Sequence, residues 1–392
     1  MIVSRLSIPL GSWPHSVGSW NFADLKTVAL IRRAYRLDGG AEMAFQNYIS
    51  CYLELGYDVS ILCEKWSGKL PPGVTVRHFN VFGSRSVRYF LFIYRVQKHL
   101  RKNRYDVVQA HEWIPVATVV RLGDGLHSFW FEQLLRNRRA VHSIVTCLSL
   151  FHWIKRYYES QTLNSPTLKQ IIVNSNYVYE QIAEKYPAVL HKTCVQRNVI
   201  PTTFFESSST ALMLRDFKSQ RPTKSDPSLQ LIFVGSGWAR KGLDKLLDAM
   251  AHVERAWSLV VVGTDKKAHV YVDRVKYLGL MDKVTFLGVL KLDCDFYRSF
   301  DALVLPTSYD PFPNVIAEAL SSGLKVVTSS LSGGKDFQAT GDVIVVDSQR
   351  DLVSALERLD VDLEDSATRA AKYQEVFSHP KLITSMKELL ND

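Results

Sequence analysis

Two carboxylates eight positions apart, Asp310 and Glu318, are the first residues of this sequence whose placement suggests chemistry. Asp310 lies in a proline-rich loop, residues 306–313, and Glu318 lies in a predicted helix that begins near Asn314. The neighbours of Glu318 are apolar, so burial of its carboxylate would be costly unless it bound a ligand. We expect both acids at the mouth of a cleft between two domains, where the strands of a sheet end. The alternative is that Glu318 lies on the exposed face of a short helix.

A glycine-rich turn with two adjacent cations precedes this pair in the chain. Residues 235–242 read Gly-Ser-Gly-Trp-Ala-Arg-Lys-Gly and lie between a predicted strand and a predicted helix. The turn starts like a dinucleotide fingerprint, but Arg240 stands where the third glycine would be. Arg240 and Lys241 would neutralise a bound diphosphate. The alternative, a solvated cation pair at a helix start, is disfavoured because the helix dipole opposes cations there.

A second glycine-rich turn, residues 37–42, lies near the start of the chain. Gly39 and Gly40 stand between the apolar run 27–31 and an amphipathic helix. Two glycines at a helix N-terminus allow backbone N–H groups to approach a phosphate, which the helix dipole favours. A tight turn without a ligand explains the same residues equally well, because a glycine pair alone is a weak signal.

Both halves of the chain repeat this pattern of strand, turn and helix. Alternating strands and helices predict parallel sheets covered on both faces, with ligands at the carboxyl ends of the strands. We therefore expect an α/β fold with two Rossmann-like, doubly wound domains that face a cleft. The expected divisions are an N-terminal domain (1–200, including an unexplained extension, 1–26), a linker or surface insertion (207–228), a C-terminal domain (201–371) and a helix that packs back on the first domain (372–392).

Composition agrees with two globular domains and points to an anionic partner. The chain has 392 residues, 46% of them apolar, which is enough for two buried cores. Residues 1–200 hold 25 Lys and Arg against 13 Asp and Glu, and the remainder holds 23 against 26. The basic half suggests nucleic acid, a phosphorylated substrate or a membrane face as partner. No nucleic-acid-binding module is recognised, so we expect no nucleic acid.

The sequence also indicates a cytoplasmic location. The five cysteines are odd in number and lack C-x-x-C spacing, which argues against a disulfide framework and a zinc site. The N-terminus is a poor secretion signal, and the longest uncharged run, residues 140–154, is too short and too polar to span a bilayer. We expect a protein of the reducing cytosol that contacts a membrane only at its surface.

Two segments interleave aromatic residues with cations, residues 85–101 and 129–158. Aromatic rings suit the headgroup boundary of a membrane, and nearby cations are attracted to anionic lipids. These segments predict peripheral binding of the N-terminal domain to an anionic membrane surface. The alternative is that the aromatic rings belong to the core and the cations are solvated or bind acceptor phosphates.

Together the motifs resemble those of the retaining family 4 glycosyltransferases of the GT-B fold. Asp310-x7-Glu318 resembles their E-x7-E motif, and VGSGWARKGLDKLL is similar to their donor-phosphate turn. The resemblance covers residues 27–336 and, within the family, is to the lipopolysaccharide core glucosyltransferases of Gram-negative bacteria. Asp310 departs from the usual Glu. Ser236 stands where many members have Arg, a charge that Arg240 would supply.

The resemblance implies a nucleotide-sugar donor in the C-terminal domain and an acceptor held mainly by the N-terminal one. It implies that Glu318 accepts hydrogen bonds from the ribose hydroxyls. Asp310 and the amides near Asn314 and Val315 would hold the hexose.

It also implies how the diphosphate is held. Arg240 and Lys241 would stabilise it at the turn that begins with Gly235, while Gly39 and Gly40 close over it from the other domain. No metal or other cofactor is expected, because these cations carry the leaving-group charge.

Two more candidates follow strands of the N-terminal domain. His111 resembles the active-site histidine of the family, which orients the donor sugar; a structural histidine is equally plausible. Asp124 matches an acidic position of the core glucosyltransferases and would contact the acceptor, although Asp in a Gly-Asp-Gly turn is often only a turn former.

The function implied is transfer of a hexose, with UDP-glucose as first candidate donor, to a lipopolysaccharide core or other lipid-linked, cell-envelope glycan with retention of configuration. Two alternatives stay open. A non-catalytic sugar-binding subunit of an envelope-assembly complex is kept open by the substitution at Asp310. An NAD-linked oxidoreductase is more distant, because neither glycine-rich turn has both a complete fingerprint and a downstream acid.

Overall fold

Two separate parallel β-sheets organise the protein, one in each half of the chain. A computed structural model describes residues 26–35, 40–136, 149–206, 228–360 and 364–391. The predicted α/β fold with two doubly wound domains is confirmed. The extension and the expected linker fall almost entirely outside the described residues.

The N-terminal sheet has seven strands. They are β1 (Thr27–Ile31), β3 (Asp58–Cys63), β5 (Val74–His78), β6 (Val107–Ala110), β7 (Val119–Leu122), β8 (Gln170–Val173) and β9 (Thr193–Val195), while β2 (Ala34–Tyr35) and β4 (Lys65–Trp66) form a separate pair. The spatial order is β5-β3-β1-β6-β7-β8-β9, so the winding direction reverses between β1 and β6. Strands β6 and β7 are buried at every position, as expected where helices cover both faces.

Five helices cover this sheet in the part of the chain that the structure describes. They are α1 (Gly40–Glu54), α2 (Arg85–Lys102), α3 (His127–Arg136), α4 (Leu150–Leu163) and α5 (Asn176–Lys185). One core lies between the sheet and α1, and a second lies between the sheet and the other helices. Ser84 and Ser175 cap α2 and α5 by accepting hydrogen bonds from backbone N–H groups of the first turn.

The C-terminal sheet has six strands in the order β12-β11-β10-β13-β14-β15. They are β10 (Leu229–Val234), β11 (Trp257–Val262), β12 (Val284–Gly288), β13 (Ala302–Leu305), β14 (Lys325–Thr328) and β15 (Val343–Val345). The helices are α6 (Trp238–Lys241), α7 (Leu243–Met250), α8 (Ala268–Tyr277), α9 (Cys294–Tyr297), α10 (Asn314–Ser321), α11 (Gln349–Glu357), α12 (Glu364–Val376) and α13 (His379–Asn391). Short 3-10 helices of the described residues are Pro187–Lys192, Thr202–Phe204 and Gly333–Thr340.

The chain passes between the domains twice. The first passage lies near Ile200, whose N–H donates to the carbonyl oxygen of Phe377, 3.0 Å away, at the end of α12. Helix α12 runs through residue 372, where a return to the first domain was expected, and packs on α10. The return occurs instead in α13, whose Leu382 and Met386 are buried in the core beside α1.

No helix in the described part of the chain is long and apolar enough to cross a membrane.

Candidate functional site

The carboxylate of Asp310 lies within hydrogen-bond distance of both cations of the glycine-rich turn. Lys241 Nζ donates to Asp310 Oδ2 at 2.6 Å, and Arg240 Nη1 donates to the same oxygen at 3.1 Å. Arg240 also donates to the carbonyl oxygen of Tyr309 at 3.1 Å. Lys241 and Asp310 are buried, whereas Arg240 remains half-exposed. We call Asp310, Arg240 and Lys241 the Asp310 cluster.

The topology of the sheet explains why the cluster forms. Strands β10 and β13 are neighbours at the centre of the sheet, where the winding direction reverses. The turn 235–242 follows β10, and the loop 306–313 follows β13. At such a switch point the two loops diverge and leave a crevice at the carboxyl ends of the strands, which is the usual ligand site of this fold type. Asp310 lies in the loop that follows the carboxyl end of β13, on the side of the sheet where the sequence predicted it.

The glycine-rich turn 235–242 contains a separate one-turn helix, α6. The sequence pattern instead placed Arg240 and Lys241 at the start of the following helix. Arg240 and Lys241 end α6, so they do not start the helix that follows. The C-terminus of α6 favours these cations, although Lys241 also directly precedes Gly242, the N-cap of α7. Gly242 joins α6 to α7 with φ +82°, and a Cβ atom there would collide with the carbonyl group of Pro306. Gly235 (φ +151°) leaves room for the aliphatic stem of Lys241, 3.4 Å from the position of a Cβ.

Glu318 lies on the second turn of α10 and is held by a tyrosine. The hydroxyl of Tyr297, on α9, donates to Glu318 Oε2 at 2.7 Å. Burial raises the pKa of Glu318 above its ordinary 4.5, although the Tyr297 hydrogen bond and the charge of Lys241 oppose the rise. The alternative of an exposed Glu318 is wrong, because its side chain is partly buried.

The start of α10 meets the N-terminal domain across the cleft. Asn314 is its first residue, as predicted, and its Oδ1 accepts a hydrogen bond from Asn198 Nδ2 at 2.6 Å. Asn198, Asn314 and Glu318 line one narrow interdomain crevice together with Met43 of α1. Val315 is partly buried against the C-terminal core.

His111 lies at the end of β6, where aromatic rings and an amide contact its imidazole ring. The ring meets Phe45 and Tyr48 edge-on, with centroids 4.8 and 5.4 Å apart, and its Nε2 lies 3.0 Å from the side-chain amide of Gln109. Burial, with the charge of Arg121 second, lowers the pKa of His111 well below 6.5, so the ring is neutral at physiological pH. Its contact with a donor sugar remains a prediction.

Asp124 is exposed in the turn between β7 and α3, at the rim of the cleft. The adjacent Gly125 has φ +71°, and a Cβ atom there would collide with the hydroxyl of Tyr309. Asp124 therefore lies where the N-terminal domain meets the loop that carries Asp310. Gly40 is the first residue of α1, whereas Gly39 lies outside the described residues.

Sequence reasoning missed two residues of this site, Tyr297 and Asn198. Tyr297 lies in an unremarkable aromatic segment 21 positions before Glu318, and Asn198 lies 116 positions before Asn314. Neither belongs to a recognisable motif, and only the packing of α9 on α10 and the approach of the two domains bring them to the site.

The segments that follow β10 and β13 supply two cations, two carboxylates and the amide end of a helix, and Glu318 of this set lines the interdomain crevice. Such a set can bind an anionic diphosphate through the cations and hydroxyl groups through the carboxylates. Among the described residues, no group of three or more His, Cys, Asp or Glu side chains is placed to hold a metal ion.

Known protein families and relatives match both halves of the chain. The family described as Glycosyltransferase Family 4 matches residues 38–204, and the family described as Glycosyl transferases group 1 matches residues 228–362. An uncharacterized glycosyltransferase of Methanocaldococcus jannaschii is 23% identical, over 78% of this chain and 81% of that protein. The lipopolysaccharide glucosyltransferase WaaG of Escherichia coli is 22% identical, over 75% and 78%.

Solved structures show the same fold. The crystal structure of WaaG superposes with a TM-score of 0.71 at 18% identity and covers 89% of this chain and 95% of its own. The Anabaena HepE protein, in complex with UDP and glucose, has a TM-score of 0.64 at 18% identity, with 93% and 99% covered. The alternative of an NAD-linked oxidoreductase finds no support in these matches. With its family 4 and group 1 domains in this order, the chain belongs to the glycosyltransferases of the GT-B fold.

Proposed function

We propose that the protein is a retaining hexosyltransferase that transfers a hexose, with UDP-glucose as first candidate donor, to a lipopolysaccharide core or another cell-envelope glycan. The observation that carries the proposal is the Asp310 cluster beside the Glu318–Tyr297 pair. The glycosyltransferase families and the relatedness to WaaG support it. HepE, a structural neighbour, is in complex with UDP and glucose, which supports UDP-glucose as the first donor to test.

Donor binding would rearrange the Asp310 cluster. The diphosphate becomes the partner of Arg240 and Lys241, which now share the carboxylate of Asp310. Asp310 is then released to accept hydrogen bonds from hexose hydroxyls, and Glu318 accepts them from the ribose. The cations stabilise the charge that develops on the leaving diphosphate, so no metal is needed in this proposal.

Retention would follow from attack on the face that the diphosphate leaves. The acceptor oxygen bonds to the anomeric carbon as the bond from that carbon to the diphosphate oxygen breaks. The acceptor proton passes to the departing diphosphate. His111 and Asp124 would act on the N-terminal side, at the donor sugar and the acceptor respectively.

A donor screen tests the proposal. UDP-, GDP- and ADP-sugars are added to the protein, and the one that binds raises the melting temperature because it stabilises the native state by mass action. Turnover is then measured with that donor, and the anomeric configuration of the product is read by NMR. Inverted configuration would overturn retention, and a bound sugar nucleotide that is never transferred would favour the non-catalytic, sugar-binding alternative.

Asp310 is one methylene shorter than the family's usual Glu, and we propose that this shifts its contact with the sugar hydroxyls. The screen is therefore repeated on Asp310→Glu. A changed order of donor preference is expected. Identical preference in both proteins would remove position 310 from donor choice.

We also propose that the N-terminal domain binds the cytoplasmic face of an anionic inner membrane. Two exposed stripes carry this proposal, and each has helical spacing of three and four residues. The first is on α2 (Val87, Phe90, Tyr94) and the second is on α4 (Leu150, Trp153, Tyr157). The two helices pack on each other, and the ring centroids of Phe90 on α2 and Tyr158 on α4 lie 6.4 Å apart, so the two stripes are neighbours on the surface of the domain.

Cations of α2 and α4 lie beside aromatic rings of α4, one of them buried and one exposed. Arg85 lies 3.8 Å from the ring centroid of Phe151, and Arg156 lies 5.6 Å from that of Trp153. The aromatic residues of the two segments are partly buried and partly exposed. Tyr89, Phe92 and Phe151 belong to the core, which is where the alternative interpretation placed all the aromatic rings. The exposed remainder suits the headgroup boundary.

Vesicle co-sedimentation tests the membrane proposal. Wild-type protein should bind vesicles with anionic lipid at low salt, less at high salt because of screening, and little to zwitterionic vesicles. Trp153→Ser with Tyr157→Ser should reduce binding about tenfold, whereas Tyr277→Ser, an exposed tyrosine of the C-terminal domain, should not. No binding to anionic vesicles at low salt would contradict the proposal.

A further inference from the structure

One buried arginine of the N-terminal domain has no acidic partner among the described residues. Arg121 lies in β7 and is 5% exposed, and in the described parts of the chain no carboxylate forms an ion pair with it. Its Nη2 donates a hydrogen bond to Asn198 Oδ1, and its guanidinium lies 5.2 Å from the ring centroid of Tyr48. Among the described residues, its buried Nε has no hydrogen-bond acceptor. Burial of a charge without a counter-ion is costly, so an anion bound beside this guanidinium would stabilise it.

The guanidinium lies next to the interdomain crevice. It is near the carboxyl end of β7, on the edge of the sheet where parallel strands present ligand-binding residues. Its acceptor Asn198 lines the crevice with Glu318. A Cβ atom at Gly123 would collide with Arg121 Nη1, so the guanidinium also touches the turn that holds Asp124 at the rim.

The charge of Arg121 acts on its neighbourhood. Burial is the largest cause of the lowered pKa of His111. The charge of Arg121 is the second cause, and the charge of Arg32 is the third. Arg32 is neutralised by Glu42, whose Oε1 lies 3.1 Å from its Nη2. Of these two cations, Arg121 is therefore the one with no carboxylate partner among the described residues.

We propose that Arg121 binds an anionic group of the acceptor, a phosphoryl or carboxylate group carried near the hydroxyl that is glycosylated. The inference rests on the proposed function, since it concerns the acceptor of that reaction. The donor diphosphate already has two cations, Arg240 and Lys241, in the other domain. The planar guanidinium fork matches the oxygens of a phosphoryl or carboxylate group and can bind two of them at once.

The test uses inorganic phosphate as the probe and UDP to occupy the donor cations. Melting temperatures of the full chain are measured in saturating UDP, with and without phosphate at constant ionic strength. Phosphate should raise the melting temperature of the wild type by about 2–4 °C. It should raise that of Arg121→Gln by clearly less, and this comparison removes the general stabilising effect of phosphate.

Arg121→Lys, which keeps the charge but loses the fork, should retain part of the phosphate shift, and it replaces Arg121→Gln if that variant does not fold. UDP affinity is measured on the same proteins and should change less than twofold in Arg121→Gln. An equal phosphate shift in wild type and variant, or no shift in the wild type, overturns the proposal. A tenfold loss of UDP affinity in Arg121→Gln also overturns it, because the arginine would then serve the donor.

Failure of the proposed function has a different signature. If the wild type binds no nucleoside diphosphate, the donor assignment fails. The phosphate comparison between wild type and Arg121→Gln without UDP still decides whether Arg121 binds an anion.

Discussion

The carboxylate of Asp336 accepts a hydrogen bond from the backbone N–H of Asn176 at 2.7 Å, although the two residues belong to different domains. Asn176 is the first residue of α5. Asp336 also accepts from the N–H of Tyr177 at 3.2 Å and from Arg197 Nη1 at 2.9 Å. One carboxylate of the C-terminal domain thus satisfies the free N–H groups at a helix start of the other domain, where a negative charge is favoured.

Asp336→Asn should weaken the contact between the domains. The Asp336 side chain is 1% exposed, so its charged hydrogen bonds are little screened. We expect a loss of about 1.5–3 kcal/mol in the free energy of unfolding, measured by urea denaturation. Lys335→Ala is the control, because its ion pair with Glu180 also crosses the interface but is more exposed and should contribute less than about 1 kcal/mol. Equal losses in the two variants would contradict the special role of Asp336.

Removal of either cation of the Asp310 cluster should slow transfer. Lys241→Met and Arg240→Met should each lower kcat on the order of 10²-fold, because each removes a charge that stabilises the leaving diphosphate. Lys245→Met is the matched control, since Lys245 is an exposed lysine of α7 near the same loop. A chelator should leave the wild-type rate unchanged. Activity that EDTA abolishes and magnesium restores would show that a metal carries the leaving-group charge.

Glu318→Gln should stabilise the free protein while it weakens donor binding. Because burial raises the folded-state pKa of Glu318 above 4.5, the native state holds its proton more tightly than the unfolded state. The contribution of this group to stability is therefore complete below pH 4.5 and is lost as pH rises through the raised folded-state pKa, at about 1.4 kcal/mol per unit of elevation.

Urea unfolding of both proteins from pH 4.5 to 8 measures this difference. The wild type should lose stability relative to Glu318→Gln across the range, and the variant should gain less in melting temperature from its donor. A constant difference between the two proteins at all pH values would show that the pKa is not raised.

Tyr297→Phe should reduce donor affinity several-fold through Glu318. The variant loses the hydroxyl that orients the carboxylate at 2.7 Å but keeps the buried ring. Tyr297 is a positioning residue, so kcat/KM for the donor should fall mainly through KM. Tyr271→Phe is the control, because this buried tyrosine packs on Trp238, away from Glu318. A response in Tyr297→Phe no larger than in the control would leave the hydrogen bond without a functional role.

The chain order of elements and several motifs could be predicted from the sequence. Alternating apolar runs and amphipathic helices are local patterns, and they predicted two doubly wound domains. The glycine-rich turn 235–242 and the helix start at Asn314 are also local, because glycine conformations and the ends of apolar stripes depend on neighbouring residues. These features therefore needed no knowledge of the tertiary structure.

What the tertiary structure decided is which of these residues meet and which side chains support them. The ion pairs of Asp310 with Arg240 and Lys241 depend on β10 and β13 being adjacent strands, and sequence distance does not report strand order. The hydrogen bond from Tyr297 to Glu318 also depends on long-range packing. So do the hydrogen bonds that link Asn198 to Arg121 and to Asn314.

The tertiary structure also decided which aromatic residues are exposed. Residues of the same type on α2 and α4 are buried or exposed according to whether their helix face meets the sheet. Tyr89 is therefore buried, whereas Tyr94 is exposed. The sequence determined the chemistry available at each position. Long-range packing determined which groups lie within hydrogen-bond distance, because such contacts join residues far apart in the chain.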